Sequence, residues 1–480
     1  MAPGSTRDVG PTRTADFRLD KGRRTGCMTS MTRALRSLYR DNLARASGLI
    51  LMTSVITALL GFGYWVLAAR TYPAAEVGTA AVSVSMMTLA SLVSTLGTTA
   101  GPVQRIPLLR TARQWNRTVS VSLAVGGVAG ALAGMLGWLI LVALIHTSGL
   151  RSPSYAAALV LGVAFTNGAM VLDSIWVIER ITEWRLVTNT LTSIAKLPLL
   201  AVPALHAQGA SGIQWGWTAG VAFGLAAGVL VLRWKRNFRF VMSGITDELR
   251  AMRRSMVGNY IMSLGAQAPT YVVPVLVGAA VSASQTAYFY AAWRIGSLFF
   301  LAASAVSNAL FAEGAHTPAR SVRLAQRAIL FLVPILLVVT LTLLLAGPLL
   351  LDAFGAAYRA SALDLLLLLI AAAIPDAITA VYRTVLRIGH QFLQGSILMW
   401  GLAVIQVGIT WPFLAIWGIS GAGVAWLLAE SAGVMVAGVD RWLHGDFASR
   451  AEARAQVARA RPTLRAEPGE PGGNPGGRPG

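Results

Sequence analysis

Charge is scarce in this chain of 480 residues: 12% are Asp, Glu, Lys or Arg against 55% hydrophobic, and the mean hydropathy is +0.61. Soluble globular domains carry about twice that share of charge, so a water-soluble domain is excluded. Acidic residues are the scarcest, 20 against 40 Lys and Arg. The net charge of +20 does not mark a nucleic-acid binder, because the basic residues fall in tails and short loops between apolar runs. Cysteine is almost missing. The single Cys27, in a polar tail, leaves no intramolecular disulfide and no thiolate metal site. No G-x-G-x-x-G, Walker loop, G-x-S-x-G or H-E-x-x-H run occurs, and His146, His206, His316, His390 and His444 are scattered. An ATP-driven pump within this chain is thereby excluded. The loops on one side are too short for the domain of a membrane glycosyltransferase or polymerase, and neither metal nor cofactor is called for.

What the chain has in quantity is long apolar runs. A bilayer core takes about 20 apolar residues per helix, and on that rule about twelve spans are expected. They lie near residues 47–69, 80–100, 119–145, 155–178, 186–205, 212–232, 256–279, 287–311, 328–346, 360–382, 394–414 and 418–439. Basic residues alternate with them. Arg105, Arg110, Arg113, Arg117, Arg180, Arg185, Arg233 to Arg254, Arg320, Arg323, Arg327, Arg383 and Arg387 fall on one side, with only Arg70, Arg151 and Arg359 on the other. Cytoplasmic loops hold the Lys and Arg, so both termini are expected in the cytoplasm of a multi-pass protein of the cell membrane.

The expected organisation is therefore all-α. Residues 1–46 form a basic cytoplasmic tail without periodicity, expected to be disordered and unlike a signal peptide, with Met28 and Met31 as alternative starts. A six-helix lobe over 47–232, a cytoplasmic linker over 233–255 and a second six-helix lobe over 256–440 follow. Residues 441–480 end in a Pro/Gly-rich tail, also expected to be disordered. Displacing the sequence by about 209 positions lays Ala74 on Ala283, Glu76 on Gln285 and Val66 on Val275. Halves that both begin in the cytoplasm form a parallel pseudo-two-fold repeat, an arrangement suited to alternating access around a midplane site. Gly126, Gly130 and Gly134, four apart, read as a close helix–helix contact.

The stretch AYFYAAWRIGSLFFLAASAVSNALFAE (Ala287 to Glu313) puts an arginine inside an apolar helix. At about 100° per residue, Tyr290, Arg294, Ser297, Ser304 and Asn308 share one side and Phe289, Phe299 and Phe300 the other. A guanidinium at membrane depth costs at least a few kcal/mol unless it faces protein or a wet cavity. Lys196, Asp173, Asp376 and Glu430 are the other intramembrane charges. They read as Lys196 with Asp173 in one lobe and Arg294 with Glu430 and Asp376 in the other, either as buried neutralising contacts or as parts of a cavity. Excess cations there attract a phosphate or an acidic sugar. The expected substrate-binding set is Arg294, Lys196, Tyr290, Ser297 and Asn308; Asp173, Asp376 and Glu430 are candidates for ion coupling or charge pairing. Positive charge is expected mainly on the second lobe, where Arg294 replaces Ser85 of the first. Tyr64, Trp65, Trp215, Trp217, Trp411 and Trp417 read as an interfacial belt.

GFGYWVLAARTYPAAEVGTAAV (Gly61 to Val82), the Ala287 to Glu313 stretch, FGAAYRASALDLLLLLIAAAIPDAITAVYRTVLRIGHQ (Phe354 to Gln391) and GISGAGVAWLLAE (Gly418 to Glu430) together resemble the polysaccharide-flippase branch of the multidrug/oligosaccharidyl-lipid/polysaccharide exporter superfamily. The resemblance implies two six-helix bundles around a central cavity. It also implies movement of a lipid-linked oligosaccharide across the bilayer, with polysaccharide assembly enzymes as partners. Drug-exporting relatives tend to carry an acidic residue in the first helix; Ser47 to Ala69 has none. A multidrug antiporter stays the alternative within transport, and a membrane-embedded polymerase or glycosyltransferase the alternative among enzymes.

Overall fold

The computed structural model describes residues 42–95, 98–145, 147–253, 258–298, 321–388 and 391–444. The chain divides into two units, Met1–Leu49 and Ile50–Gly480, and apart from the first turns of the first helix everything that follows concerns the second. Among the described residues all regular structure is helical. The first half holds α1 (Asn42–Thr71), α2 (Ala74–Ser94), the short α3 (Ala100–Arg105), α4 (Ala112–Leu144), α5 (Pro153–Ile178), α6 (Thr182–Leu199) and α7 (Ala210–Arg236). A linker helix α8 (Ile245–Arg253) leads to α9 (Gly258–Ala280), α10 (283–298), α11 (Ser321–Phe354), α12 (Ala356–Ile388), α13 (Phe392–Trp417) and α14 (Ile419–His444).

Nine of the described helices are long and apolar enough to cross a membrane. The other three expected spans are helical over most of their described residues, the one over 186–205 breaking after Leu199. α6 holds Glu183, Arg185 and Lys196 within its 18 residues, the apolar part of α9 is the shorter Leu264–Ala280, and 283–298 is the described part of α10.

Local chemistry sets the helix ends. Pro73 has no N–H to donate and closes α1 from α2, whose first turn carries Glu76 against the positive end of its dipole. Thr111 and Ser152 cap α4 and α5 by accepting from the N–H groups of Gln114 and Tyr155. Gly418, at φ +56°, turns α13 into α14 with a backbone that side chains disfavour.

Small residues decide the packing. α4 meets α5 along Gly126, Gly130 and Gly134; a Cβ at Gly134 would lie 2.9 Å from the Cα of Val160. Asn167 of α5 spans this seam, donating to the Gly126 carbonyl at 3.0 Å and the Ser94 hydroxyl at 2.8 Å. In the second lobe α14 packs on α12 and α13, and α13 on α9. α2 is the inner element, with 78% of its membrane window buried against 17% for Gly48–Thr71. Gly78, Ala80, Ala81, Ser83 and Ser85 let it touch α4, α5 and α7 on one side and α9 on the other, so it joins the lobes.

The lobes close at the end away from the arginine-bearing loops. A Cβ at Gly78 would lie 1.8 Å from the Ala283 carbonyl oxygen, so α2 and α10 touch backbone to backbone. Arg70 donates to the carbonyls of Ala353 at 2.8 Å and Asp352 at 2.7 Å, and the Phe62 and Phe354 rings meet edge to face. At the opposite end, Arg105 and Arg117 converge on Glu248 of α8, and Arg236 pairs with Glu179. Within the stretch expected as the linker, α8 is thus fastened to the first lobe.

Tyr64 and Trp65, expected in an interfacial belt, are fully buried. The Tyr64 hydroxyl donates to the Ile213 carbonyl at 2.8 Å, and Trp65 packs against Tyr290 of α10 with ring centroids 4.7 Å apart. They form part of the core that joins the lobes.

Candidate functional site

Two cavities flank the α2–α10 contact. The first, of about 270 Å³, lies against the first lobe between α1, α2, α6 and α7 and is lined by Lys196, Trp217, Asn189, Thr192 and Ser193. The second, of about 320 Å³, lies in the second lobe and is lined by Asp376, Arg383, Gln406, Trp293, Trp426 and Glu430. Ser85, Tyr271, Tyr290 and Arg294 line both. Arg294 therefore faces a cavity rather than lipid, and it faces two.

Its position follows from the helix packing. α10 holds Arg294 one turn after Tyr290, and across the seam Gly61 of α1 offers no side chain. A Cβ there would stand 3.3 Å from an Nη atom of Arg294. The Arg294 Nε is buried without a hydrogen-bond partner among the described residues. Tyr290 is buried beside it, and the Ser297 hydroxyl donates to the Arg294 carbonyl at 2.7 Å. Ser297 lines the second cavity with its hydroxyl engaged on its own helix. Asn308 lies outside the described residues.

Lys196 is buried on α6 and lines the first cavity. Its expected partner Asp173 is elsewhere: the Asp173 carboxylate lies 3.3 Å from the Arg185 Nε and accepts from the Asn189 amide at 2.8 Å. The tight turn at Arg180, in the left-handed region at φ +58°, folds α6 back so that Arg185 meets Asp173. Lys196 is eleven residues further along α6, about 16 Å at 1.5 Å per residue. Asp173 is thus a brace between α5 and α6 and lines neither cavity. The Lys196 ammonium stands 3.7 Å from the Trp217 ring centroid, a cation–π contact. Trp217, expected as a belt residue, belongs to the cavity wall.

Asp376 and Glu430 share the second cavity with Arg294 as expected, yet among the described residues no ion pair within 4 Å joins them to it. The other cation among the described residues lining this cavity is Arg383. By its sequence position Arg383 reads as a residue of a cytoplasmic loop; α12 continues to Ile388 and carries it, half-buried, into the cavity. The seven-residue step from Asp376 is two helical turns, which puts both on one face, and that spacing was the signal available in the sequence. Gln406 of α13 carried no such signal.

The charge balance reverses the expectation. The first cavity has Lys196 and the shared Arg294 and no carboxylate among its lining residues. The second sets Asp376 and Glu430 against Arg383 and the shared Arg294. Surplus positive charge therefore lies on the first-lobe side, because both intramembrane carboxylates that line a cavity sit in the second.

No protein-family model and no characterised protein sequence matches this chain. Solved structures do match in fold. An inward-facing multidrug resistance MATE family transporter of the MOP superfamily aligns with TM-score 0.68 at 15% identity, covering 84% of this chain and 99% of that one. The lipid II flippase MurJ, in an inward closed conformation, aligns with TM-score 0.64 at 12% identity over 80% of this chain and 85% of its own. An outward-facing MATE transporter aligns with TM-score 0.56 at 16% identity over 82% and 93%. The chain has the all-helical, two-lobed fold of these MOP-superfamily transporters.

Proposed function

We propose that this protein moves a lipid-linked oligosaccharide or polysaccharide repeat unit across the cytoplasmic membrane by alternating access. Two six-helix lobes over residues 47–232 and 256–440 rock about the α2–α10 contact, with both termini in the cytoplasm. The observation that carries this reading is the first cavity: two cations, an aromatic wall and no carboxylate among its lining residues make a site for an anionic head group. Lys196 and Arg294 hold the phosphate, and the lipid tail stays in the bilayer. The fold shared with a lipid II flippase supports the same substrate class.

A flipping assay in proteoliposomes with a fluorescently tagged, diphosphate-linked oligosaccharide lipid tests it. Wild-type protein is expected to expose the tag to an external quencher, and Lys196→Ala to slow this at equal protein abundance. No flipping by the wild type would refute the proposal. The carboxylates of the second cavity favour a second reading, ion-coupled efflux of a cationic compound; proton-dependent dye efflux that needs Asp376 and Glu430 would establish it.

A further inference from the structure

The second cavity holds buried polar atoms that the phosphate site does not use. Glu430 Oε2 and Gln406 Nε2 are both buried, both residues line this cavity, and neither atom has a hydrogen-bond partner among the described residues. One is an acceptor and the other a donor, and a buried group left unpaired costs about 1–3 kcal/mol. A bare cation would satisfy Glu430 and not the Gln406 N–H; an anion would do the reverse. A hydroxyl both donates and accepts, so a polyol satisfies both.

Trp293 and Trp426 add an apolar wall. Their rings meet edge to face at 4.6 Å, Trp293 is further stacked on Phe289, and both indoles line the cavity. Rigid aromatic faces beside a few placed polar groups are the composition of a small-molecule site, and about 320 Å³ lies within the roughly 300–1,000 Å³ of such sites. Once Arg294 engages a phosphate in the neighbouring cavity, Arg383 is the remaining cation among the described lining residues, and it faces two carboxyl groups, Asp376 and Glu430. A site with more carboxyl groups than cations disfavours an acidic sugar.

From this arrangement we infer that the second cavity is the glycan subsite of a bipartite head-group site, and that it selects neutral, hydroxyl-rich sugar over uronic acid while Lys196 and Arg294 hold the attached phosphate. This rests on the phosphate assignment made above. Both cavities reach Arg294, Tyr290, Tyr271 and Ser85, so a sugar phosphate lying across that wall occupies both at once.

The test is calorimetric titration of the purified full chain with inorganic phosphate, glucose 1-phosphate and glucuronic acid 1-phosphate. Wild type is expected to bind glucose 1-phosphate at least about tenfold more tightly than phosphate and than the uronate. Asp376→Asn/Glu430→Gln, which keeps the shape of both side chains, should shrink the preference over the uronate to about twofold. Lys196→Ala should weaken all three ligands together. Equal wild-type binding of glucose and glucuronic acid 1-phosphates would overturn the glycan subsite, as would a preference unchanged in the double variant. Phosphate binding indifferent to Lys196 would instead overturn the phosphate assignment beneath it.

Discussion

Lys196 holds its ammonium 3.7 Å from the centroid of the Trp217 ring, so the first lobe's own cation in the first cavity is positioned by an aromatic face, with no carboxylate among the described lining residues. A cation–π contact of this kind is worth about 0.5–2 kcal/mol. It fixes the charge without neutralising it, leaving Lys196 free to meet an anion.

Replacing Trp217 by Leu should therefore loosen the ammonium while keeping the apolar wall. The expected result is a rise in the apparent KM for the lipid-linked substrate of about three- to tenfold with little change in maximal rate. Initial flipping rates over a range of substrate density in the membrane read it directly.

Gly78 sets how closely the lobes approach. A Cβ at this position would stand 1.8 Å from the Ala283 carbonyl oxygen and 2.9 Å from the Ala287 nitrogen, so Gly78→Val must part α2 from α10. With Cys27 replaced by Ser and spin labels on Ala75→Cys and Gln285→Cys, the distance distribution of the Gly78→Val protein should shift to longer values than in the Gly78 background. An unchanged distribution would mean that this contact does not hold the closed end.

How much of this was legible in the sequence varies residue by residue. Arg294 stood out because a guanidinium in an apolar run must face something polar, and Lys196 for the same reason. Arg383 did not, because a cation near the end of an apolar run reads as a loop residue unless the helix is known to continue. Trp217 and Trp65 failed for a related reason: one sequence cannot separate an aromatic at the membrane interface from one turned inward near a helix end. Asp173 was seen as a buried charge but given the wrong partner, since the angle of the turn at Arg180 decides which α6 residue it meets. The fold was clearer than the site because spans and loop charges repeat along the chain, whereas each contact in the cavities is made once.

Glu248 fastens the linker helix to the first lobe, accepting from Arg105 Nε at 3.0 Å and the Thr118 hydroxyl at 2.6 Å. Burial pushes its carboxyl up, but those hydrogen bonds and the charges of Arg105 and Arg117 outweigh it and hold the carboxyl below its ordinary value of 4.5. A depressed folded value stabilises the protein above the unfolded one, and that contribution is lost as pH falls below 4.5 through the folded value. Glu248→Gln should lower the melting temperature at pH 7, with a loss of about 1.5–3 kcal/mol. Its melting temperature should also fall less than that of the wild type between pH 6 and the acid range. Thermal melts of both proteins across that range measure the difference.

The shared position of Arg294 between the two cavities is the centre of the account, and reconstituted flipping of a tagged, diphosphate-linked oligosaccharide lipid by Arg294→Ala tests it most directly. Loss of a charge-assisted contact worth about 1.5–3 kcal/mol predicts a fall in rate of at least about tenfold. Protein abundance and melting temperature should stay at wild-type levels. Flipping at the wild-type rate by a folded Arg294→Ala protein would contradict the account.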